Sequence, residues 1–216
     1  MTNMKLIKIA AAALITLSSF AAQAGLMYID GGTNQAVPAN NYFKSALNPQ
    51  TYNIGGNLKA NQTDTMFLSF EFLGKEAGWT NTFTSESNTN LITTGGGSFS
   101  YSKAYTLGDL IDFTFAAGAN LNPNPNSVAN GSNNGGNNIV SFAIALDTTF
   151  NGVLYDAILF FDDTGSHKIV NGVKVPDDDN HDDLIIGIKA HVPESSTFVL
   201  MLMGLAGLFA ARRLKA

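Results

Sequence analysis

The stretch IVSFAIALDTTFNGVLYDAILFFDD, residues 139–163, contains two apolar runs, at 139–146 and 153–161. Short apolar runs that end at turn residues or charges are typical of buried strands. Because both runs are apolar nearly throughout, we expect two central strands that are covered on both faces of a sheet. Periodicity alone leaves a buried helix open as the alternative.

The chain on either side of this stretch has the texture of an all-β protein. Asparagine, glycine, threonine and serine are abundant, and turn residues separate short apolar runs. The sequence therefore predicts an antiparallel two-sheet β-sandwich of the jelly-roll type. The predicted strands cover residues 26–29, 51–54, 65–73, 80–84, 90–93, 98–105, 110–116, 139–146, 153–161, 167–170, 173–175 and 184–190.

Two alternating patterns indicate which aromatic side chains share a face. The phenylalanines of residues 67–72 alternate with other residues, and Ile111, Phe113 and Phe115 occupy every second position. Side chains two residues apart in a strand lie on the same face of the sheet. We therefore expect one aromatic face from each of the two segments.

Two connections have clear turn chemistry. Residues 118–138, GANLNPNPNSVANGSNNGGNN, predict a long flexible surface loop, because so much Asn, Gly and Pro sustains neither a ladder nor a helix. Asn171-Gly172 predicts a tight hairpin with a type I′ turn. That hairpin would bring the acidic residues on its two sides together.

The N-terminal residues 1–24 have the features of a secretory signal peptide. Lys5 and Lys8 precede an apolar run at 9–20, and Ala22 and Ala24 supply small residues at a cleavage site. The mature chain is then expected to begin at residue 25. The alternative is a short amphipathic core helix, but polar residues do not recur along the run at helical spacing.

The C-terminal residues 192–216, VPESSTFVLMLMGLAGLFAARRLKA, combine an uncharged run at 197–211 with a basic end. A helix over 195–211 would be roughly 25 Å long at about 1.5 Å per residue, slightly short of a hydrocarbon core of about 30 Å. The basic end favours the cytoplasmic side, which places the preceding chain outside the inner membrane. The alternative is a buried terminal helix, although the run has no polar face to turn to water.

This tail resembles the PEP-CTERM sorting signal of Gram-negative bacteria that make exopolysaccharide. The resemblance is carried by Val192-Pro193-Glu194, the apolar run and Arg212-Arg213. It implies processing by signal peptidase, transient insertion in the inner membrane, and cleavage near Pro-Glu by an exosortase. It further implies release to the cell envelope or extracellular matrix. Ser195 stands where the family usually has a second proline.

Between the two end signals, residues 25–191 amount to one domain. They contain seven basic and 16 acidic residues, which gives a formal charge of −9. Such an acidic domain is not expected to bind nucleic acid or anionic lipid. The chain has no cysteine, which excludes disulfides, thiolate nucleophiles and Cys-ligated metals.

Two acidic stretches adjoin predicted strands. Asp162-Asp163 follows the run at 153–161, and residues 177–183, DDDNHDD, precede the strand at 184–190. If those strands pair antiparallel, seven carboxylates converge, and oxygen-rich clusters suit Ca²⁺. The spacing does not match an EF-hand loop. The alternative is a solvated acidic loop that keeps an edge strand soluble.

The same arrangement of acidic stretches resembles the end of DUF4114-type domains of PEP-CTERM proteins, in which an acidic loop precedes the last strand. The resemblance implies calcium ligands. The candidate ligands are Asp162, Asp163, Asp177, Asp179, Asp182 and Asp183.

Other residue types give little sign of catalysis. His167, His181 and His191 have no helical i, i+4 spacing, so zinc catalysis is not expected. The sequence has no Gly-x-Ser-x-Gly elbow, and a phosphate-loop Lys-Ser/Thr does not follow its triple glycine. We therefore expect a non-enzymatic structural or adhesive protein. A carbohydrate-binding module that uses Trp79 is the alternative function, and a buried aromatic plug is the alternative role of Trp79.

Overall fold

The computed structural model describes residues 25–86, 90–118, 127–132, 140–164, 167–170, 173–176, 180–193 and 203–204. These residues form an all-β, antiparallel, sandwich-like fold, as the sequence predicts. A single turn of 3-10 helix covers Lys44–Ala46. The strands are β1 Met27–Ala36, β2 Leu47–Asn48, β3 Thr51–Ala60, β4 Asp64–Gly74, β5 Thr82–Ser85, β6 Asn90–Thr93, β7 Ser98–Tyr105, β8 Thr114–Ala116, β9 Ser127–Ala129, β10 Ser141–Phe150, β11 Val153–Asp162, β12 His167–Val170, β13 Val173–Pro176 and β14 Leu184–His191.

The main sheet has the strand order β1-β3-β10-β11-β14-β4-β7, with β2 added beside β10. Strands β10 and β11 arise from the stretch at 139–163 and lie in the middle of this sheet. They pair antiparallel, with Ile144 opposite Leu159. Every side chain is buried from Ser141 to Ala145 in β10 and from Ala157 to Asp162 in β11. The prediction of two central strands is therefore confirmed, and the helical alternative is wrong.

A second sheet, β6-β5-β8-β9, packs across one face of the main sheet. The contact between the sheets is an aromatic core that consists of Phe70, Phe83, Phe113, Phe115, Phe142 and Phe161. Phe115 stacks on Phe161 with ring centroids 4.9 Å apart and an interplanar angle of 4°. Phe83 meets the same Phe115 ring edge-on at 5.0 Å. These side chains come from both sheets, so their burial holds the sheets together.

The opposite face of the main sheet is covered by the chain between β1 and β3. Val37 and Leu47 from this segment join Tyr52, Phe150 and Phe160 in a second apolar cluster. β11 therefore alternates between two cores, with Phe161 in the aromatic core and Phe160 in the second cluster. This double coverage explains why the sequence of β11 does not alternate between apolar and polar residues.

The two alternating patterns had different outcomes. Ile111, Phe113 and Phe115 are all buried on the aromatic core, as predicted. The prediction of one aromatic face for residues 67–72 is wrong for Phe67. Residue 67 is three positions before residue 70, so its side chain lies on the opposite face of the strand from Phe70 and Phe72. Phe67 packs instead against His191 of β14, with ring centroids 4.8 Å apart and an interplanar angle of 35°.

The predicted loop at 118–138 contains a strand that the sequence analysis missed. β9 adds to the edge of the second sheet through Val128, which is buried opposite Phe115. Asn130 follows it, and its side-chain Nδ2 donates to Leu58 O and Ile111 O, both at 2.7 Å. These bonds connect the segment to β3 of the main sheet and to the chain that precedes β8. Residues 119–126 and 133–139 lie outside the described residues.

The predicted hairpin is confirmed in its strand pairing, because β12 and β13 are antiparallel with Val170 opposite Val173. The predicted type I′ turn at residues 171–172 lies outside the described residues. The predicted signal peptide, and the spanning segment apart from residues 203–204, lie outside the described residues. Where the structure describes the chain, it contains no helix that is both long enough and apolar enough to cross a membrane.

Candidate functional site

The two acidic stretches meet because β11 and β14 are antiparallel neighbours. Phe161 lies opposite Leu184, and Asp183 N donates to Phe161 O at 3.0 Å. The end of β11 and the start of β14 therefore share one end of the main sheet. The structure brings together three predicted ligands, Asp163, Asp182 and Asp183, while Asp162 is buried at the end of β11 and its Oδ1 accepts from Thr164 N at 3.0 Å. The other two, Asp177 and Asp179, lie outside the described residues.

These carboxylates are not on a solvated loop. Asp162, Asp163 and Asp182 are 0%, 2% and 1% exposed, respectively. β14 is an interior strand with β11 on one side and β4 on the other. The alternative of a solvated acidic loop beside an edge strand is therefore wrong for the described residues. Burial makes ionisation of a carboxyl costly unless hydrogen bonds or a counter-charge stabilise it.

Backbone and amide donors orient the carboxylates. Asn81 Nδ2 donates to Asp163 Oδ2 at 2.7 Å, and Asp163 N donates to Asp183 Oδ2 at 2.8 Å. Tyr42 N donates to Asp182 Oδ2 at 2.6 Å. The donors come from three separate parts of the chain, so the fold as a whole fixes the positions of these carboxylates.

Glu76 is a member of the site that the sequence analysis missed. One carboxylate oxygen each from Glu76, Asp182 and Asp183 lie within 4.8 Å of one another. Glu76 N also donates to Asp182 O at 2.9 Å. Glu76 follows β4, and β4 pairs with the start of β14 through Gly74 and Ile185. The signal that could have found Glu76 is this pairing, which no local pattern reveals.

The acidic cluster, defined as Glu76, Asp163, Asp182 and Asp183, has unfavourable internal electrostatics. Burial, followed by the nearby charge of Asp163, raises the pKa of Asp183 to about 8. The hydrogen bond from Asp163 N opposes this rise, and the charge of Asp182 adds to it. A proton or a cation at Asp183 would relieve the repulsion. Glu76 is exposed and opens the cluster to solvent.

The histidines have separate positions. His181 is buried beside the cluster, where its Nε2 lies 2.8 Å from Ser141 Oγ and its ring contacts Tyr52. His191 packs on Phe67. The side chain of His167 lies outside the described residues. His181 therefore connects the cluster to the central strand β10.

Trp79 lies in the loop between β4 and β5, and it is 39% exposed. Its carbonyl oxygen accepts a hydrogen bond from Thr94 Oγ1 at 3.3 Å. The alternative of a buried plug is therefore wrong, and the indole is a surface aromatic group.

The sorting motif begins where the fold ends. Val192 follows β14 and packs half-buried against the aromatic core, and Pro193 is exposed. Glu194, Arg212 and Arg213 lie outside the described residues. Comparison with protein families, with curated proteins and with solved structures found no match for this chain.

Proposed function

We propose that the chain is an exported, non-enzymatic protein of the cell envelope or extracellular matrix, and that Ca²⁺ at the acidic cluster stabilises it. The observation that carries the calcium assignment is the convergence of Glu76, Asp182 and Asp183 within 4.8 Å. Two oxygen ligands at about 2.3–2.6 Å from one Ca²⁺ are at most about 5 Å apart. The three carboxylates therefore fit a single ion.

The donor types favour a hard cation. The converging groups are carboxylates, which suit Ca²⁺ or Mg²⁺ better than softer transition metals. Ca²⁺ accepts six to eight oxygen ligands in a flexible arrangement, whereas Mg²⁺ demands a strict octahedron. The irregular mixture of strand-end and loop carboxylates suits the more tolerant ion. Solvent beside Glu76 would complete the coordination.

The test is the melting temperature of the full chain with saturating Ca²⁺ or with a chelator. A ligand at about 100 times its Kd stabilises the native state by about 2.7 kcal/mol. We expect Ca²⁺ to raise the Tm of the wild type and to have little effect on D183N. D147N is the matched control, because it makes the same charge change at an exposed residue with a positive φ that asparagine tolerates. An unchanged Tm of the wild type would contradict structural calcium.

The export route rests on the sequence. The proposal includes a signal helix within residues 1–24, a spanning helix within 192–216, and the jelly-roll type of sandwich. Signal peptidase would act before residue 25, and an exosortase near Pro193. The end of β14 at His191 supports this division, because the predicted motif starts one residue after the last strand. Mass spectrometry of the extracellular protein tests it, and a mature form that retains residues 198–216 would contradict exosortase processing.

The second candidate function is binding of exopolysaccharide through Trp79. The exposure of this indole favours it, because exposed aromatic rings can stack on sugars. Trp79 is the one tryptophan of the chain, so its fluorescence reports directly on the loop. We expect purified host polysaccharide to shift this emission if the module binds sugar. An unshifted emission would rule out sugar binding through Trp79. If incubation of the polysaccharide with the protein produced new reducing ends, the protein would hydrolyse it, which would contradict a non-enzymatic role.

A further inference from the structure

Strand β7 is one of the two outer strands of the main sheet. It pairs with β4 along its whole length, from Glu71 opposite Ser98 to Asp64 opposite Tyr105. An outer strand directs half of its backbone N–H and C=O groups away from the sheet.

The register shows which groups of β7 point outward. Phe72 N donates to Gly97 O at 3.0 Å, one step beyond Ser98 in the same register. Hydrogen-bonded and non-hydrogen-bonded pairs alternate in an antiparallel ladder, so the odd-numbered residues from 99 to 105 bond to β4. The outward N–H and C=O groups belong to Ser98, Ser100, Ser102 and Ala104. The described part of the chain supplies no strand on this side of β7.

The other edges of the two sheets have features that block pairing. In β1, Gly31 and Gly32 have φ values of +76° and +71°, and the ladder to β3 is interrupted at Gly32. β1 also carries the charged pair Asp30–Lys59, at 2.6 Å. The edges of the second sheet, β6 and β9, have four and three residues. Short strands, kinks and charges are the usual means of blocking edge association.

β7 has none of these features. It is eight residues long, and its outward residues are uncharged. Its one charged residue, Lys103, is bonded to Glu86 at 3.0 Å. Phe99 and Tyr101 stack on Phe70, with ring centroids 4.8 and 5.6 Å apart. The strand is therefore held in an extended conformation, so pairing would cost little further ordering.

We propose that β7 pairs antiparallel with β7 of a second copy of this chain, which joins the two main sheets into one. A two-fold axis at Tyr101 places Ser100 opposite Ser102 of the partner subunit, so the outward groups face one another. Lys103 then lies opposite Phe99 of the partner subunit, so no like charges are directly opposed. This self-complementarity favours a second copy over another protein, and closed two-fold dimers are the commonest assemblies.

The first test is the mass of the full chain in solution. Sedimentation equilibrium is run in a mild detergent, which prevents association through the apolar residues 197–211. We expect the mass to rise with concentration from 22.9 kDa towards twice that value. A single monomer mass at every concentration would overturn the proposal.

Variants at Ser102 locate the interface. Because the N–H of this residue points outward, S102P removes a donor to the second copy and no donor to β4. We expect self-association to weaken at least about tenfold, since each copy loses a hydrogen bond. S102T keeps the N–H and is the matched control, with association expected to persist.

S102K is a second variant that tests the interface even if S102P does not fold. It leaves the backbone unchanged and brings two positive charges within about 7–8 Å across the axis. We expect weakened association that recovers in high salt, which a misfolded variant would not show. Amide exchange at Ser100 and Ser102 should slow in the associated protein. Association that survives both S102P and S102K, with these amides still exchanging quickly, would overturn pairing through β7.

Discussion

The aromatic core and the acidic cluster are adjacent along one strand and opposite in their energetics. Phe161 of β11 stacks on Phe115, and Asp163, two residues further on, belongs to the cluster. Both of these side chains are buried. Burying an aromatic ring is favourable by itself, whereas burying a carboxylate costs free energy until a donor, a proton or a cation compensates it. The core should therefore be insensitive to solution conditions, and the cluster should respond to pH and cations.

The largest expected effect comes from the core. F161A should lower the free energy of unfolding by about 3–5 kcal/mol, because it leaves a cavity beside Phe115. Urea denaturation measures the loss, which should be the same with and without Ca²⁺. F67A, at the half-buried ring on His191, is the control and should cost clearly less. A loss below about 1 kcal/mol for F161A would contradict the central place of this ring.

A smaller loss is expected where the cluster is attached to the second sheet. Asn81 is fully buried, and it donates to Asp163 and accepts from Gly118 N at 3.3 Å. N81A should cost about 1–3 kcal/mol, because it removes the bond to the buried carboxylate of Asp163 and the bond from the half-buried Gly118 N. It should also reduce the stabilisation by Ca²⁺, which distinguishes it from a core variant. An unchanged response to Ca²⁺ would show that Asn81 does not orient the cluster.

At Asp183 we expect an effect on stability that depends on pH. Its pKa is about 8 in the folded protein against an ordinary value of 3.8, so the folded state retains a proton that the unfolded state loses. In the presence of a chelator, its contribution to stability is full below about pH 4 and is lost as the pH rises to about 8. D183N should remove this fall, and D147N should keep it. Equal slopes of stability against pH in the wild type and D183N would contradict the raised pKa.

The smallest effect is expected far from both regions. Asp30 of the outer strand β1 and Lys59 of β3 form an exposed ion pair. D30N should change the free energy of unfolding less than F161A or N81A does, because solvent screens such pairs. The change in stability of D30N is the reference value for the loss of one carboxylate that is not buried. A larger loss would indicate that a carboxylate on this edge matters more than its exposure suggests.

The sequence was most informative where one physical requirement dominated. Residues 139–163 specified the centre of the sheet, because a strand covered on both faces must be apolar throughout. β9 was missed because it contributes one buried apolar side chain, Val128, within an asparagine-rich segment. The side chain of Asn130 connects the segment to β3 and to the chain that precedes β8, and no periodicity encodes these bonds.

The acidic site could be predicted in part. Asp163, Asp182 and Asp183 could be predicted because they adjoin two apolar runs whose antiparallel pairing was a reasonable expectation. Glu76 could not be found, because its position depends on the pairing of β4 with β14, which are distant in sequence. The burial of the cluster could not be predicted from the sequence either, because DDDNHDD is a polar stretch.

The interior position of β14 has a mechanical consequence. Force that acts on the C-terminal tail is transmitted to β14, the last described strand. This strand is hydrogen-bonded to β11 on one side and to β4 on the other. Tension along its axis loads both ladders in shear, so their hydrogen bonds must rupture together. Tension along the axis of β1 at the other terminus loads only its one ladder to β3, because β1 is an outer strand with one neighbour. Force at the end that leads to the tail is therefore shared by two ladders instead of one.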